Sequence, residues 1–355
     1  MASGLTEGRR SNLPDDEMKR LTDFLNRPLR VGTRTMEGRL VLAPMARLGN
    51  AAFRQVLSGY GGAALMFTEM TSARSVPGGK GHVEGLVWSP GEQPFLACQL
   101  FGNEPERMAE AARWIESWGF FGVDINFGCS VSVICRKNCG AALLRKPELA
   151  GDIVSAVRRA VSIPLFVKFR TGWKDDPGGA VEMARRFEDA GADALTFHPR
   201  VAPDVRTRPP RWRYIRLVKE SVGVPVFGNG NVFHARDCLK MIEDTGCDGV
   251  ALGRLALMRP WIFSEWRGMF NPSEAVFKDT ALEFARSARG HFGEEMALRR
   301  FRQFMGYYAA NFKFGHDLSA RLSRSGSLCE AEREIDEFFR EPAEVFESPS
   351  PALLG

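Results

Sequence analysis

The chain has 355 residues, of which 44% are hydrophobic, and a formal net charge of +5. This length exceeds that of one small domain, and the apolar content is ample for a large core. The small positive surplus is compatible with a polyanionic partner but does not identify one. Seven cysteines, an odd number in a chain of this size, do not form the pattern of a disulfide framework. We therefore expect a reducing, cytoplasmic location.

The N-terminal segment is polar and lacks the apolar stretch of a secretory signal; it reads MASGLTEGRRSNLPDDEMKR. The longest apolar runs of the chain fall well short of the roughly 20 residues that a membrane-spanning helix needs. The sequence therefore predicts a soluble protein that makes no contact with a membrane.

Between residue 38 and about residue 255, short apolar runs alternate with longer amphipathic stretches, as in repeated βα units on a parallel sheet. Two of the amphipathic stretches end in Gly119 and Gly191, which suit the left-handed C-cap of a helix. Eight strands that close on themselves form a TIM (β/α)8 barrel, whose active site lies at the strand C-terminal ends. The eight apolar runs are Leu40–Pro44, Ala64–Glu69, Phe95–Leu100, Val123–Asn126, Leu165–Phe169, Ala194–His198, Val226–Asn229 and Gly249–Gly253.

The strand pattern stops after Pro260, and the segment around Pro272 is typical of a hinge into helical sequence. A C-terminal all-helical domain is indicated by apolar residues spaced three or four apart, a pattern of helix packing. These residues are Leu298, Phe301, Met305 and Tyr308. We predict four parts, namely a polar N-terminal extension (1–27), the barrel (28–268), the helical domain (273–345) and a disordered tail (346–355).

The last two strands end in glycine motifs that suit phosphate binding. Asn229-Gly230 follows strand seven, and Gly253-Arg254 follows strand eight. Backbone N–H groups in these two loops of a barrel often hold a phosphate. A Gly-Asn pair by itself also forms ordinary turns. The presence of both motifs on adjacent strands favours a phosphorylated ligand.

Lys168 and His198 end two further adjacent strands, where a cation beside a hydrogen-bond donor can stabilise negative charge on a ring such as a reduced flavin. Gln99 offers hydrogen bonds to the edge of such a ring, and Pro44 and Met45 offer apolar contact. The alternative is that His198 is a core histidine and that Lys168 pairs with a neighbouring carboxylate.

Cys129 follows the fourth strand in a loop rich in small residues. An accessible thiol at this position can donate a proton or act as a nucleophile, although a purely structural thiol is the alternative. The spacing of Cys129, Cys135 and Cys139 matches neither paired CxxC motifs nor the common ferredoxin runs. We therefore expect no metal site.

Taken together and in this order, the strand-end motifs resemble those of the dihydrouridine synthase family, over roughly residues 28 to 330. Members of that family are FMN enzymes that reduce the C5–C6 bond of uridine in transfer RNA. The resemblance implies hydride transfer from flavin N5 to C6, a proton from Cys129 to C5, and a base oriented by Asn126. NADPH, with NADH as the alternative, would be the reductant. The FMN-binding candidates are Pro44, Met45, Gln99, Lys168, His198, Asn229, Gly230, Gly253 and Arg254.

The segment RRFRQFMGYYAANFKFG resembles the RNA-binding helical bundle of the same family. The chain departs from the family in having Ser130 after the cysteine, where proline is usual, and an arginine-rich segment after His198. Arginines can clamp RNA phosphates, although surface arginines are often only solvated. Our RNA-binding candidates are Arg200, Arg206, Arg208, Arg299 and Arg302. We expect a monomer that acts on transfer RNA, with ribosomal RNA as the open alternative.

Two rival functions follow from the same residues. The first is a small-molecule FMN oxidoreductase of the dihydroorotate dehydrogenase or old-yellow-enzyme type, against which the helical domain and the arginine-rich loop count. The second is an RNA-binding barrel without catalysis. The joint presence of Cys129, Lys168 and His198 counts against that second reading.

Overall fold

The computed structural model of the protein describes residues 13–76, 86–204 and 208–349. Its strands are β1 (Leu29–Val31), β2 (Arg34–Met36), β3 (Leu40–Leu42), β4 (Met66–Phe67), β5 (Thr71–Ser72), β6 (Leu96–Phe101), β7 (Gly122–Phe127), β8 (Leu165–Gly172), β9 (Ala194–Val201), β10 (Val226–Asn229) and β11 (Gly249–Leu252). Its helices are α1 (Asp15–Leu25), α2 (Ala51–Tyr60), α3 (Pro105–Ser117), α4 (Ser132–Cys135), α5 (Pro147–Ala160), α6 (Pro177–Asp189), α7 (Arg213–Ser221), α8 (Ala235–Thr245), α9 (Arg254–Met258), α10 (Ile262–Trp266), α11 (Val276–Tyr308), α12 (Gly315–Arg324) and α13 (Leu328–Phe338).

Eight parallel strands close into a barrel in the order β3, β11, β10, β9, β8, β7, β6, β4. The ring closes where β3 meets the start of β4, since Leu42 N donates to Leu65 O at 3.0 Å and Ala64 N donates to Leu40 O at 2.9 Å. The short β5 pairs with β6 beyond the end of β4. Each of the eight apolar runs overlaps one barrel strand, so the predicted TIM barrel is confirmed. Gly119 and Gly191 follow α3 and α6 with φ of 82° and 98°, as predicted for left-handed caps.

The antiparallel hairpin β1–β2 packs its apolar side chains onto the interior of the barrel. Leu29, Val31 and Met36 of the hairpin share one buried cluster with inward-facing strand residues. Within that cluster, the rings of Phe67 and Phe166 meet edge to face with centroids 5.4 Å apart. The lower part of the barrel is therefore a filled apolar core, and only its other end is left for polar side chains.

The helical region α11–α13 shares its core with the barrel. The stripe predicted from Leu298 to Tyr308 is buried, which confirms a helix there. Phe304 of α11 stacks on Phe284, and their ring centroids are 4.2 Å apart. Its ring centroid also lies 6.2 Å from that of Phe53, on the barrel helix α2. Gly293, at φ 70°, divides α11 so that its two halves pack against each other. The helical region is thus continuous with the outer layer of the barrel.

Segments at both ends of the described chain are held by hydrogen bonds. Leu21 and Leu25 of α1 are buried, and Thr22 Oγ1 donates to Trp266 O at 2.9 Å. Phe346 N donates to Asn311 O at 2.7 Å, and His234 Nδ1 lies 2.9 Å from Ser348 Oγ. These contacts lie inside the segments predicted as the N-terminal extension and the tail. In the described ranges, no helix is both long and apolar enough to cross a membrane, the 33-residue α11 included.

The shared core makes Phe304 a point where loss of one side chain weakens both regions. Phe304→Ala leaves a cavity between α2 and α11, and we expect the free energy of unfolding to fall by about 3 to 5 kcal/mol. The matched control is Phe314→Ala, because Phe314 is 58% exposed. The control should change the free energy of unfolding by no more than about 0.5 kcal/mol. Urea denaturation measures both, and equal losses would contradict a core shared by the two regions.

Candidate active site

A layer of polar side chains lies directly above the apolar layer inside the barrel. Successive residues of a strand point to opposite sides, so Phe166 and Lys168 of β8 both point inward, one above the other. The same alternation places Gln99 two residues after the inward Ala97 of β6. The members of this polar layer are Gln99, Asp124, Asn126, Lys168, Thr196, His198 and Asn229. Predicted site residues from five strands therefore meet at one end of the barrel.

Three of these side chains form a buried chain of hydrogen bonds. Asn126 Nδ2 donates to Gln99 Oε1 at 2.8 Å, and Gln99 Nε2 donates to Asp124 Oδ2 at 2.5 Å. The backbone N–H of Gln99 donates to Thr68 Oγ1 at 3.0 Å. Because both polar ends of the Gln99 amide are used, its orientation is determined by the network.

Asn126 also holds the loop that carries Cys129. Its Oδ1 accepts hydrogen bonds from the backbone N–H groups of Gly128 at 3.0 Å and Cys129 at 2.8 Å. On the other side of the loop, Ala141 N donates to Cys129 O at 2.9 Å. Gly140 adopts a φ of 60°, and a Cβ at that position would lie 2.6 Å from Cys129 O. The half-buried Cys129 is thus fixed at the mouth of the barrel.

The two other cysteines of this loop are turned to backbone oxygens. Cys135 Sγ lies 3.5 Å from Cys129 O, and Cys139 Sγ lies 3.4 Å from Lys137 O. Burial raises the pKa of both thiols above the ordinary value for cysteine. Among the residues that the structure describes, no group of His, Cys, Asp and Glu side chains is arranged to hold a metal ion.

Lys168 and Asp124 are charged groups inside the barrel. Burial lowers the pKa of Lys168 below its ordinary value, the nearby charge of Arg170 lowers it further, and Asp124 opposes the shift. Burial raises the pKa of Asp124, against the hydrogen bond from Gln99 and the charge of Lys168. Both charges are held at a cost in solvation, which an added anionic or polar ligand would offset.

His198 is neutral at physiological pH in this setting. Burial lowers its pKa well below the ordinary value, and the positive charges of Lys168, Arg170, Arg200 and Arg254 lower it further. Its Nε2 is buried and has no hydrogen-bond partner among the described residues. A buried imidazole nitrogen without a partner is costly, so this atom is suited to a ligand in the barrel mouth.

The loops after β10 and β11 form a cationic cradle. Asn231 Oδ1 accepts hydrogen bonds from Arg254 Nη2 at 2.9 Å and from Arg200 Nη2 at 3.2 Å. Gly230, at φ 117°, lies so close to His198 that a Cβ would be 2.7 Å from its ring. Two guanidinium groups beside a glycine turn provide the charge and the close backbone approach that a phosphate requires.

These features fit flavin mononucleotide. The cradle suits its phosphate, and the unpartnered His198 Nε2, the Lys168 ammonium and the Gln99 amide suit the polar edge of its ring. Met45 lies beside Gly253, since a Cβ on that glycine would be 3.7 Å from Met45 Sδ.

The remaining cofactor candidates, Pro44 and Asn229, lie at the same end of the barrel. Pro44 lies two residues after the end of β3, next to Met45. Asn229 Nδ2 donates to Ala251 O at 2.7 Å, which ties β10 to β11 below the cradle. The structure therefore brings all the predicted cofactor residues to one end of the barrel. Their binding role stays a prediction.

The predicted RNA-binding arginines lie in different places. Arg200 is buried in the cradle. Arg208 pairs with Asp204 at 3.0 Å. Arg302 donates to carbonyl groups at the end of α12, including Leu322 O at 3.1 Å. Arg299 is exposed on α11, and Arg206 lies outside the described residues. Contact of these arginines with RNA stays a prediction.

Sequence reasoning did not single out three residues that the structure adds to the site, namely Asp124, Arg170 and Asn231. The half-buried Arg170 follows Lys168 by two residues on the same side of β8, and its charge interacts with Cys129. Asp124 precedes Asn126 by two residues on β7. Residues two positions apart on a strand point to the same side. Inspecting the residue two positions before or after each predicted site residue would therefore have found Asp124 and Arg170.

A family model described as dihydrouridine synthase (Dus) matches residues 41–341. The chain is 32% identical to a probable tRNA-dihydrouridine synthase 1 of Synechocystis, over 88% of this chain and 89% of that protein. It is also 32% identical to tRNA-dihydrouridine synthase B of Pseudomonas aeruginosa, over 88% of this chain and 96% of that one.

Solved structures share the fold at low sequence identity. Morphinone reductase in complex with tetrahydroNAD matches with a TM-score of 0.52 and 14% identity, over 70% of this chain and 92% of its own. The old yellow enzyme from Trypanosoma cruzi matches with a TM-score of 0.51 and 14% identity, over 71% and 94%. At this identity the likeness shows the fold alone.

Loss of the Asn126 side chain should free the Cys129 loop. Asn126→Ala leaves two backbone N–H groups without their acceptor, so we expect the free energy of unfolding to fall by about 2 kcal/mol. Maleimide labelling of Cys129, followed by mass spectrometry, should become faster. The control is Asn103→Ala, because Asn103 donates a solvent-exposed hydrogen bond to Lys137 O of the same loop at 3.0 Å. The control should lose less than about 1 kcal/mol and label at the wild-type rate. Unchanged labelling in Asn126→Ala would show that the amide does not position the thiol.

Proposed function

The chain belongs to the dihydrouridine synthase family, and on that premise we propose that it reduces the C5–C6 bond of specific uridines in transfer RNA. FMN is the proposed prosthetic group, and NADPH or NADH is the proposed reductant. The observation that carries the proposal is the placement of Cys129, held by Asn126 at the mouth of a barrel whose buried polar layer is surrounded by arginines.

FMN, when bound, supplies the hydride that is added to C6 of the uracil. In the proposal, Lys168, His198 and Gln99 hold the ring of the cofactor, and Gly230 and Arg254 hold its phosphate, with Arg200 as a second cation beside Asn231. The positive charge of Lys168 favours the electron-rich form of the ring. The thioether sulfur of Met45 lies beside Gly253, and in the proposal this side chain helps to exclude water from the mouth.

Cys129 completes the reduction as a general acid. Addition of hydride at C6 leaves negative charge on C5 and on the neighbouring carbonyl, and the thiol of Cys129 donates its proton to C5. Asn126 positions this thiol through the Cys129 N–H. Arg170 lies close to Cys129, and we assign it the stabilisation of the developing carbonyl charge.

The RNA must deliver a uridine that is stacked inside a folded structure. Extraction of a base from its stack costs a few kcal/mol, which contacts with flanking nucleotides offset. The proposed partner is therefore transfer RNA rather than a free nucleoside, and the names of the relatives support this choice. The free state of all seven cysteines supports a reducing, cytoplasmic location.

A small-molecule FMN oxidoreductase is the second candidate, favoured by the fold shared with morphinone reductase. Reduction assays with an unmodified tRNA transcript and with free uridine separate the two. Dihydrouridine in the transcript alone supports the RNA enzyme.

The role of Cys129 can be tested in a single turnover with pre-reduced cofactor. Cys129→Ala should retain FMN, its reduction by NADPH and the binding of a tRNA transcript, but form dihydrouridine about 10² to 10⁴ times more slowly. Cys135→Ala and Cys139→Ala are the controls, because both thiols are turned to backbone oxygens. Both should react at nearly the wild-type rate. A wild-type rate in Cys129→Ala would falsify the assignment, and a collapse in a control would move the acid to that cysteine.

The charge of Lys168 should give FMN affinity a specific pH dependence. Burial lowers the pKa of Lys168, so its proton is lost below the pH of about 10.4 at which an ordinary lysine titrates. FMN prefers the protonated form, so the affinity of the apoprotein is full at low pH and falls as pH rises through the lowered pKa. Fluorescence quenching of FMN between about pH 6.5 and about pH 9.5 measures this fall.

The control for that titration is Lys168→Arg, which keeps its charge over the whole range. Its affinity for FMN should fall less with rising pH than that of the wild type, and the fall that remains is assigned to ionisation of Asp124, whose pKa burial raises. A wild-type affinity with the same pH dependence as the variant would show that the charge of Lys168 does not contribute to binding.

A further inference from the structure

The loop that carries Cys129 exposes two apolar side chains at the mouth of the barrel. Val131 is 58% exposed and Val133 is 52% exposed, although both are large apolar residues. They follow Cys129 by two and four residues, directly after the C-terminal end of β7. Neighbouring apolar side chains left in solvent beside a catalytic group indicate a contact with something outside the chain.

The valines cannot turn inward, because the loop is fixed from inside. Val131 O accepts hydrogen bonds from Ile134 N at 2.9 Å and from Cys135 N at 3.0 Å. Ile134 is buried and occupies the inner side of this turn, where a Cβ on Gly140 would lie 3.1 Å from it. The hydrogen-bonded turn therefore keeps Val131 and Val133 exposed to solvent.

Two positively charged side chains lie on the same turn as the valines. Arg136 and Lys137 are exposed, and neither forms an ion pair with a carboxylate of the described residues. Exposed apolar side chains followed on one turn by exposed cations match a nucleic acid strand, which presents base faces between phosphates. A nucleic acid strand carries a phosphate beside every base, so the charge favours RNA.

We propose that Val131 and Val133 contact the face of the nucleobase next to the uridine that is drawn into the barrel, while Arg136 and Lys137 bind the adjoining phosphates. This inference rests on the proposed function, because only extraction of a uridine exposes a neighbouring base face at the mouth. The two valines cover that face after the uridine has left the stack, as apolar wedges do in other nucleic acid complexes. The loop would thereby hold the target strand open beside Cys129.

The test compares the binding of an unmodified tRNA transcript by full-length protein containing its cofactor. Val131→Ser/Val133→Ser should lower the affinity about tenfold, because two half-exposed apolar side chains no longer cover the base. The dependence of affinity on salt concentration should keep its wild-type slope, since no phosphate contact is lost. Leu217→Ser is the matched control, because Leu217 is 41% exposed on α7. It should bind the transcript within about twofold of wild type.

A second double variant distinguishes contacts with the base from contacts with the phosphates. Arg136→Gln/Lys137→Gln should reduce the slope of log affinity against log salt by about two, one for each phosphate contact. In both double variants, reduction of the cofactor by NADPH without RNA should stay at the wild-type rate, and the unfolding midpoint should not change.

Several outcomes would overturn the inference. The first is an unchanged affinity for the transcript in the valine variant, and the second is an equal loss of affinity in Leu217→Ser. The third is a valine variant that keeps its affinity for RNA but sediments differently without RNA, which would make Val131 and Val133 part of a protein interface.

Failure of the proposed function would give different results. Valine-dependent binding of a transcript in which no dihydrouridine forms would support the contact and contradict the reaction, whereas a wild-type protein that binds no transcript would overturn both.

Discussion

In a closed barrel, the side chain of every second strand residue points into the interior, where it must share a small enclosed space. The site depends on this constraint. The aromatic rings of Phe67 and Phe166, with the apolar hairpin beneath them, fill the lower interior. The next inward positions must then lie above an apolar layer and below the mouth. Polar residues placed there, such as Lys168 and His198, are desolvated by the fold itself, and this burial is the main cause of their lowered pKa values.

The barrel mouth is strongly positive, because Arg170, Arg200 and Arg254 lie around a polar layer in which the charge of Lys168 is opposed by that of Asp124. Such an arrangement is costly without a ligand and becomes favourable when an anion is added. The same network reaches the reacting end of the site, since Asn126 bonds both to Gln99 and to the loop of Cys129. The residues proposed to hold the cofactor and the loop of Cys129 are thus connected through one amide side chain.

The helical region contributes through rigidity. Its core is continuous with that of the barrel, and Arg300 Nη1 of α11 donates to Arg47 O, in the loop after β3, at 2.8 Å. Surfaces of the barrel mouth and of the helices therefore keep a fixed relation. Old-yellow-enzyme folds share only the barrel architecture at this level of identity, so the family relation rests on the sequence relatives.

The sequence by itself determined the eight strands, because parallel strands buried on both faces appear as continuous apolar runs, and it determined the buried stripe of α11 through its helical spacing. The order of the strand-end motifs also predicted the family. Only the tertiary structure showed that Arg200 turns to Asn231 in the cradle and that Arg302 bonds the end of α12. Those partners are distant in the chain, and local periodicity carries no information about which side chains barrel closure brings into contact.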